Sequence, residues 1–273
     1  MNAVPKFGIG QSVPRSEDPR LLRGQGRYTD DTAPDGTLVA RFLRSDHAHG
    51  KIRKLDVEAA RAVPGVRLVL TAADLDGQGY ADLPCSVPLK AADGTAIIVP
   101  PHPSLARDTV RYVGQPIAMV VAETAAAAAD ALERIEVEIN GAAAVTDLAT
   151  AVSAGAAQLH DEASGNVALH WSWGDHDAVQ AAFAEAAHVT RLQLTNNRVS
   201  VAPMEPRGAV VSYESGRWTV ETGCQGVFGL RAQLAGQLGV EIDRMRVLAN
   251  DIGGSFGMKA SVFPEHLPLL PAA

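Results

Sequence analysis

The stretch richest in potential chemistry is Asp251-Ile252-Gly253-Gly254-Ser255-Phe256-Gly257-Met258-Lys259. Its glycines expose the backbone and let N–H groups approach a bound group closely, as in an anion-holding nest. The run matches neither common phosphate signature. G-x-x-x-x-G-K-S/T needs a lysine directly after its last glycine, where this chain has Met258, and G-x-G-x-x-G is spaced differently. On its own the run fits a structural turn and an anion or cofactor nest equally well.

Other residues carry weaker signals. Gln225 and Gly226 stand between a strand pattern and a helix pattern. A glutamine carboxamide both donates and accepts, so it suits an oxo group or a carbonyl, but a plain helix-start residue is the simpler reading. His47 and His49 have the i, i+2 spacing of two ligands on one side of a strand, yet no clear third ligand follows, which favours a polar turn. Cys224 has no adjacent base to activate it and reads as a small buried thiol. Asp175-His176-Asp177 reads as a solvated loop.

Patterning places these residues on a mixed α and β chain. Strand patterns cover 38–43, 66–70, 117–122 and 135–139, with helix patterns over 55–63 and after Thr124, a good N-cap before a run of alanines. Pro64-Gly65 should stop the first helix. Residues 76–109 are proline-rich and loop-like, the opening Met1 to Asp31 reads as an extended arm with turns, and residues 141–170 as a connection between domains. Beyond it come a helix over 178–187, a strand by alternation over 188–195, and a hairpin of 209–213 with 218–222. A helix over 227–238 stopped by Gly239 and a strand over 245–248 lead into the glycine run.

Composition excludes several classes. With 47% hydrophobic and 20% charged residues the chain can build a core, so disorder is not the default. A net charge of −7 argues against a generic nucleic-acid binder, which needs a basic face. No run approaches the roughly 18 apolar residues of a membrane span, and the N-terminus lacks a signal-peptide core. Cys85 and Cys224 form no C-x-x-C pair, so no iron–sulfur or structural zinc site is expected on this chain. A reducing cytoplasm is the simplest compartment.

Several segments together resemble the large, molybdenum-binding subunit of the xanthine dehydrogenase/aldehyde oxidase family. They are Arg20 to Asp31, Arg44 to Ile52, Val63 to Val66, Leu70 to Leu75 and Val110 to Ala122, then Pro203 to Ala209, Thr222 to Gly226 and Gly253 to Gly257. The resemblance is strongest to the bacterial group that includes aerobic carbon monoxide dehydrogenase. It implies an α+β fold: an N-terminal arm and α/β hammerhead domain over 1–145, then the first, incomplete part of a molybdenum-cofactor-binding domain over 146–273.

By the same resemblance, the cofactor is a molybdenum-pterin in its cytosine dinucleotide form. Gln225 and Gly226 would belong to a glutamine loop facing the molybdenum oxygen ligand, and Gly253, Gly254, Ser255, Phe256 and Gly257 to a glycine loop facing the metal ligands and the pterin phosphate. No protein side chain ligates the metal directly. The implied reaction is carbon hydroxylation of an aldehyde or N-heterocycle, or carbon monoxide oxidation. Electrons would pass to an iron–sulfur small subunit and an FAD medium subunit. Purine-hydroxylating members carry a glutamate where this chain has Ala260 after Lys259, which argues against a purine substrate. The family's catalytic glutamate and later pocket loops are expected beyond residue 273, so no catalytic residue is assigned. Pro268 and Pro271 should interrupt the helix expected near the end. The expectation is a truncated or split large subunit, inactive alone and completed by a C-terminal polypeptide. A non-catalytic scaffold module is the alternative.

Overall fold

A computed structural model describes residues 14–85, 87 and 89–273. The start of the expected N-terminal arm, residues 1–13, and Pro88 of the proline-rich loop lie outside them. The described part of the arm holds a short helix α1 (Asp18–Leu21) and a 3-10 turn at Thr29–Asp31.

The hammerhead region is built on two small sheets. β1 (Val39–Arg44), β2 (Gly50–Asp56), α2 (Glu58–Arg61), β3 (Val66–Thr71) and α3 (Ala72–Gly77) come first; β4 (Thr109–Val110), β5 (Pro116–Ala122), α4 (Ala125–Leu132) and β6 (Glu136–Gly141) follow. One sheet has the order β1-β5-β3 and the other β4-β2-β6, with every pairing antiparallel. The apolar run of β5 is explained by its central place, since every residue of that strand is buried. Its alternate side chains feed two cores. Ala118, Val120 and Ala122 pack with Ala128 and Ala131 of α4, while Met119 and Val121 face Leu70, Leu75 and Leu105. The alanines of α4 let it sit close on the sheet, and Thr124 caps it by accepting from the Ala127 N–H at 3.1 Å.

The expected helix over 55–63 is corrected. Leu55 and Asp56 belong to β2, and only Glu58–Arg61 is helical. The sequence concealed β2 because Ile52 and Leu55 are three apart, which breaks a period of two. A bulge between Ile52 and Lys54 re-phases the strand, so both residues pack against the same core of Ala106, Val110 and Ile117. β5 and β6 flank α4 but lie in different sheets, so this strand–helix–strand is no parallel crossover.

After a long connection holding only a 3-10 turn at Ser164–Asn166 come α5 (His176–Glu185), β7 (Ala209–Glu214), β8 (Arg217–Thr222), α6 (Val227–Leu238), β9 (Met245–Leu248) and α7 (His266–Ala272). The hairpin β7–β8 turns at Ser215 and Gly216, both with positive φ, and β9 joins β8 in parallel. Gly239, at φ 64°, ends α6 as expected.

Three further expectations change. Residues 188–195 form no strand, because nothing in the described chain pairs with them. Asp175-His176-Asp177 is no loop: Asp175 caps α5 by accepting from the Ala178 N–H at 2.9 Å. The C-terminal helix runs through both prolines. Pro268 sits in its first turn, where no N–H partner is needed, and buried Leu267 and Leu270 hold it against the β7–β8–β9 core. Trp218 Nε1–H donates to the Leu270 carbonyl at 2.9 Å, while Leu269 and Ala272 touch the hammerhead core. α7 therefore ties the two regions together.

Candidate functional site

The structure brings the two candidate loops together. β8 delivers Gly223 to Gly226 into the start of α6, and β9 delivers the glycine run beside it. The Ser255 hydroxyl donates to Gln225 Oε1 at 2.5 Å and accepts from the Lys259 N–H at 3.0 Å. The Gln225 N–H donates to the Lys259 carbonyl at 2.9 Å. With Oε1 taken by Ser255, the donor end of the carboxamide, Nε2, is the end left for a bound group.

The glycine loop is a nest. Gly254, Phe256 and Gly257 have φ of 97°, 50° and 90°. The N–H groups of Gly254, Ser255, Phe256 and Gly257 make no hydrogen bond among the described residues. Consecutive free amides in a turn with several residues at positive φ suit an anion. A non-glycine residue at positive φ is strained, and Phe256 adopts it with its ring exposed. Gly226 precedes the first turn of α6, whose unpaired N–H groups add to the positive potential.

A buried ion pair beneath the loop was not apparent in the sequence. Lys259, 1% exposed, donates through Nζ to Glu205 Oε2 at 2.7 Å. Glu205 also accepts from the N–H groups of Gly253 at 2.9 Å and Thr29 at 3.2 Å. Burial would raise its carboxyl pKa, but the bonds from Lys259, Gly253 and Thr29 outweigh it and hold the group below the usual range. Gly253 must be glycine here: a Cβ would lie 2.5 Å from the Glu205 Cβ. The entry arm clamps the other end of the loop. Arg20 binds Asp251 through two bonds of 2.6 Å, and the Arg27 N–H adds a third at 2.7 Å. Arg20 and then Arg27 pull the Asp251 carboxyl down to about 2. The charged types were visible in the sequence, but Arg20 and Asp251 lie 231 residues apart, beyond any local pattern.

The remaining candidates stand elsewhere. His47 Nδ1 lies 2.6 Å from Asp46 Oδ1, while His49 Nδ1 donates to the Ala143 carbonyl at 2.8 Å, so the rings serve separate partners. Cys224 is buried and lines a small cavity with Arg207, Lys259 and His266. His266 Nδ1 accepts from the Phe263 N–H at 3.0 Å, and burial lowers its pKa to about 4. His266 is therefore neutral near pH 7.

Comparison with known proteins decides the lineage. The family described as "Aldehyde oxidase and xanthine dehydrogenase, a/b hammerhead domain" matches residues 23–141. The family described as "Molybdopterin cofactor-binding domain" matches residues 159–273. The chain belongs to the xanthine dehydrogenase/aldehyde oxidase family. It is 38% identical to the nicotine 6-hydroxylase large subunit of Paenarthrobacter nicotinovorans, over 97% of this chain and 32% of that protein. It is 33% identical to the carbon monoxide dehydrogenase large chain of Afipia carboxidovorans, over 95% of this chain and 32% of that one. The structure of quinoline 2-oxidoreductase from Pseudomonas putida 86 superposes with a TM-score of 0.85 at 36% identity, covering 99% of this chain and 34% of that one. The chain thus spans about a third of the length of these relatives. As expected, the fold is a hammerhead domain followed by part of a molybdenum-cofactor-binding domain, and the nest and Gln225 lie in the second. Among the described residues no helix is long and apolar enough to cross a membrane.

Proposed function

We propose that this chain supplies the hammerhead domain and one wall of the molybdenum-pterin pocket of a molybdenum hydroxylase large subunit. The observation that carries the reading is the set of unused N–H groups at 254–257, joined through Ser255 to Gln225. The donor set fits the cofactor. Free amides and a neutral carboxamide offer hydrogen bonds to an anionic group without adding charge. Gly254 to Gly257 would hold the metal ligands and the pterin phosphate, and Gln225 Nε2 would donate to an oxygen ligand of the cofactor. We take the cofactor in its cytosine dinucleotide form, and place the division between the domains at 145/146, just after β6 ends.

When bound, the molybdenum centre supplies two-electron chemistry that moves oxygen from water to a carbon and electrons to iron–sulfur and FAD partner subunits. This chain's own part is to position and to exclude charge. Glu205 cannot serve as proton acceptor, because Lys259 and two amides occupy its oxygens. By the family resemblance, we expect the base from the part of the large subunit that the longer relatives carry and this chain does not span. The relatives' names point to carbon centres in N-heterocycles and to carbon monoxide as the substrate classes to try.

The test is dye reduction by the chain co-produced with iron–sulfur, FAD and complementary large-subunit polypeptides, offered an N-heterocycle, an aldehyde or carbon monoxide. Turnover by the assembly but not by the isolated chain is the expected result. A molybdenum-loaded assembly that oxidises none of the three would refute the catalytic reading and leave the scaffold module.

A further inference from the structure

One residue of the entry arm touches both candidate loops at once. Thr29 opens the 3-10 turn at Thr29–Asp31 and is 7% exposed. The first N–H groups of a helical turn have no partner inside it, so the Thr29 N–H is free to bond outward. It donates to Glu205 Oε1 at 3.2 Å, and the Thr29 hydroxyl accepts from the Gly223 N–H, also at 3.2 Å. The Thr32 N–H and hydroxyl hold the Thr29 carbonyl at 3.3 and 2.9 Å, and the Tyr28 N–H donates to Asp31 Oδ2 at 3.0 Å, so the turn is fixed from within.

The two contacts lead to opposite walls of the site. Gly223 follows β8 and stands two residues before Gln225. Glu205 supports the glycine loop through the Gly253 N–H and Lys259. Glu205 is wedged between one glycine of each loop. A Cβ on Gly223 would lie 3.1 Å from Glu205 Oε2 and 3.3 Å from Lys259 Nζ, and a Cβ on Gly253 would lie 2.5 Å from the Glu205 Cβ. Packing that tight leaves the loops little freedom to slide. Thr29 fastens this stack from the side, bonding the support of the glycine loop with its N–H and the glutamine loop with its hydroxyl. The Gly223 N–H has no other partner among the described residues. An amide shielded from water that loses its acceptor costs more than the bond itself, which makes this hydroxyl hard to replace.

We infer that Thr29 is a positioning residue whose hydroxyl and N–H set the spacing between Gln225 and the amides of 254–257. The donor geometry of the site is then fixed by the entry arm and not by the cofactor domain alone. Arg20 and the Arg27 N–H act on the glycine loop only, through Asp251. Thr29 is where the arm reaches both loops. The positioning rests on these bonds; what it serves, an anionic cofactor, rests on the reading given under Proposed function.

The experiment compares three variants of the full chain. Thr29→Val keeps the shape and removes the acceptor, Thr29→Ser keeps the acceptor, and Thr32→Val alters the same turn through a hydroxyl that bonds neither loop. Thr29→Val should speed amide exchange at Gly223 and Gln225 at least ~10-fold with β7, β8 and β9 unchanged, while Thr29→Ser and Thr32→Val stay near wild type. Molybdate, a tetrahedral oxyanion able to take amides on one side and Gln225 Nε2 on the other, is the ligand probe. It should shift the amide signals of 254–257 and of the Gln225 side chain, and Thr29→Val should bind it at least ~3-fold more weakly. Wild-type exchange in Thr29→Val, loosening spread over the whole sheet, the same loosening in Thr32→Val, or failure of Thr29→Ser to rescue overturns the inference. So does a Thr29→Val chain that binds molybdate as tightly as the wild type. Localised loosening in Thr29→Val together with no molybdate binding by the wild type leaves the positioning standing and sinks the functional reading only.

Discussion

Lys259→Met is the sharpest probe of how the glycine loop is held. The wild-type ammonium is 1% exposed and sits 2.7 Å from Glu205 Oε2. Removing it leaves a carboxylate in a poorly solvated place, which costs about 3–5 kcal/mol for a buried pair. The Thr29 and Gly253 amides still bond Glu205, and Glu205 keeps 16% exposure, so the low end, about 3 kcal/mol, applies. At a urea dependence of ~2–3 kcal/mol per molar, the midpoint of the cofactor-domain transition should fall by roughly 1–1.5 M. Glu205→Gln should cost ~2–3 kcal/mol, because an amide nitrogen then faces N–H donors. The double variant should cost little more than the worse single one, a coupling of ~2 kcal/mol. The assay is urea unfolding followed by circular dichroism, with amide exchange on residues 253–259 to locate the effect. A Lys259→Met chain within ~0.5 kcal/mol of wild type, or single costs that simply add, would refute the pairing.

Two further outcomes follow from the same geometry. Gly253→Ala should destabilise by ~1–3 kcal/mol in urea unfolding, since its Cβ would press on Glu205 at 2.5 Å, whereas Gly226→Ala, with open space around it, should cost far less. Stability should also fall with acid through His266. The unfolded ring titrates at 6.5 and the folded one at about 4, so the unfolded state binds the proton first and stability is lost as pH drops from about 6.5 to about 4. The full loss is ~3 kcal/mol, and His266→Gln, which keeps an acceptor for the Phe263 N–H, should flatten that part of the pH–stability curve.

Much of the fold was legible because it is locally encoded. The β7–β8 hairpin, α6 with its Gly239 stop and β9 follow directly from turn residues and periodicity. β2 was hidden by a bulge, which no count of alternation can register. α7 was misjudged because burial of Leu267 and Leu270 outweighs two prolines. The strand expected at 188–195 shows the opposite failure, a pattern without a pairing partner. In the site, Gln225 and the glycines were visible as residue types, and the structure brings them together through Ser255. The supports were not visible. Arg20–Asp251 and Glu205–Lys259 are long-range ion pairs, and single charged residues carry no mark of their distant partners.

The most direct test of the account is the molybdenum and pterin content of the chain co-produced with its complementary polypeptide in cells that make the cofactor. The wild type should retain both in near-equal amounts, and acid hydrolysis should release a cytosine nucleotide. Gly257→Val, which forces a branched side chain onto a φ of 90° in open space, should lose most of both while the fold stays intact. Wild-type protein without molybdenum, or a Gly257→Val protein that retains it fully, would contradict the claim that this loop holds the cofactor.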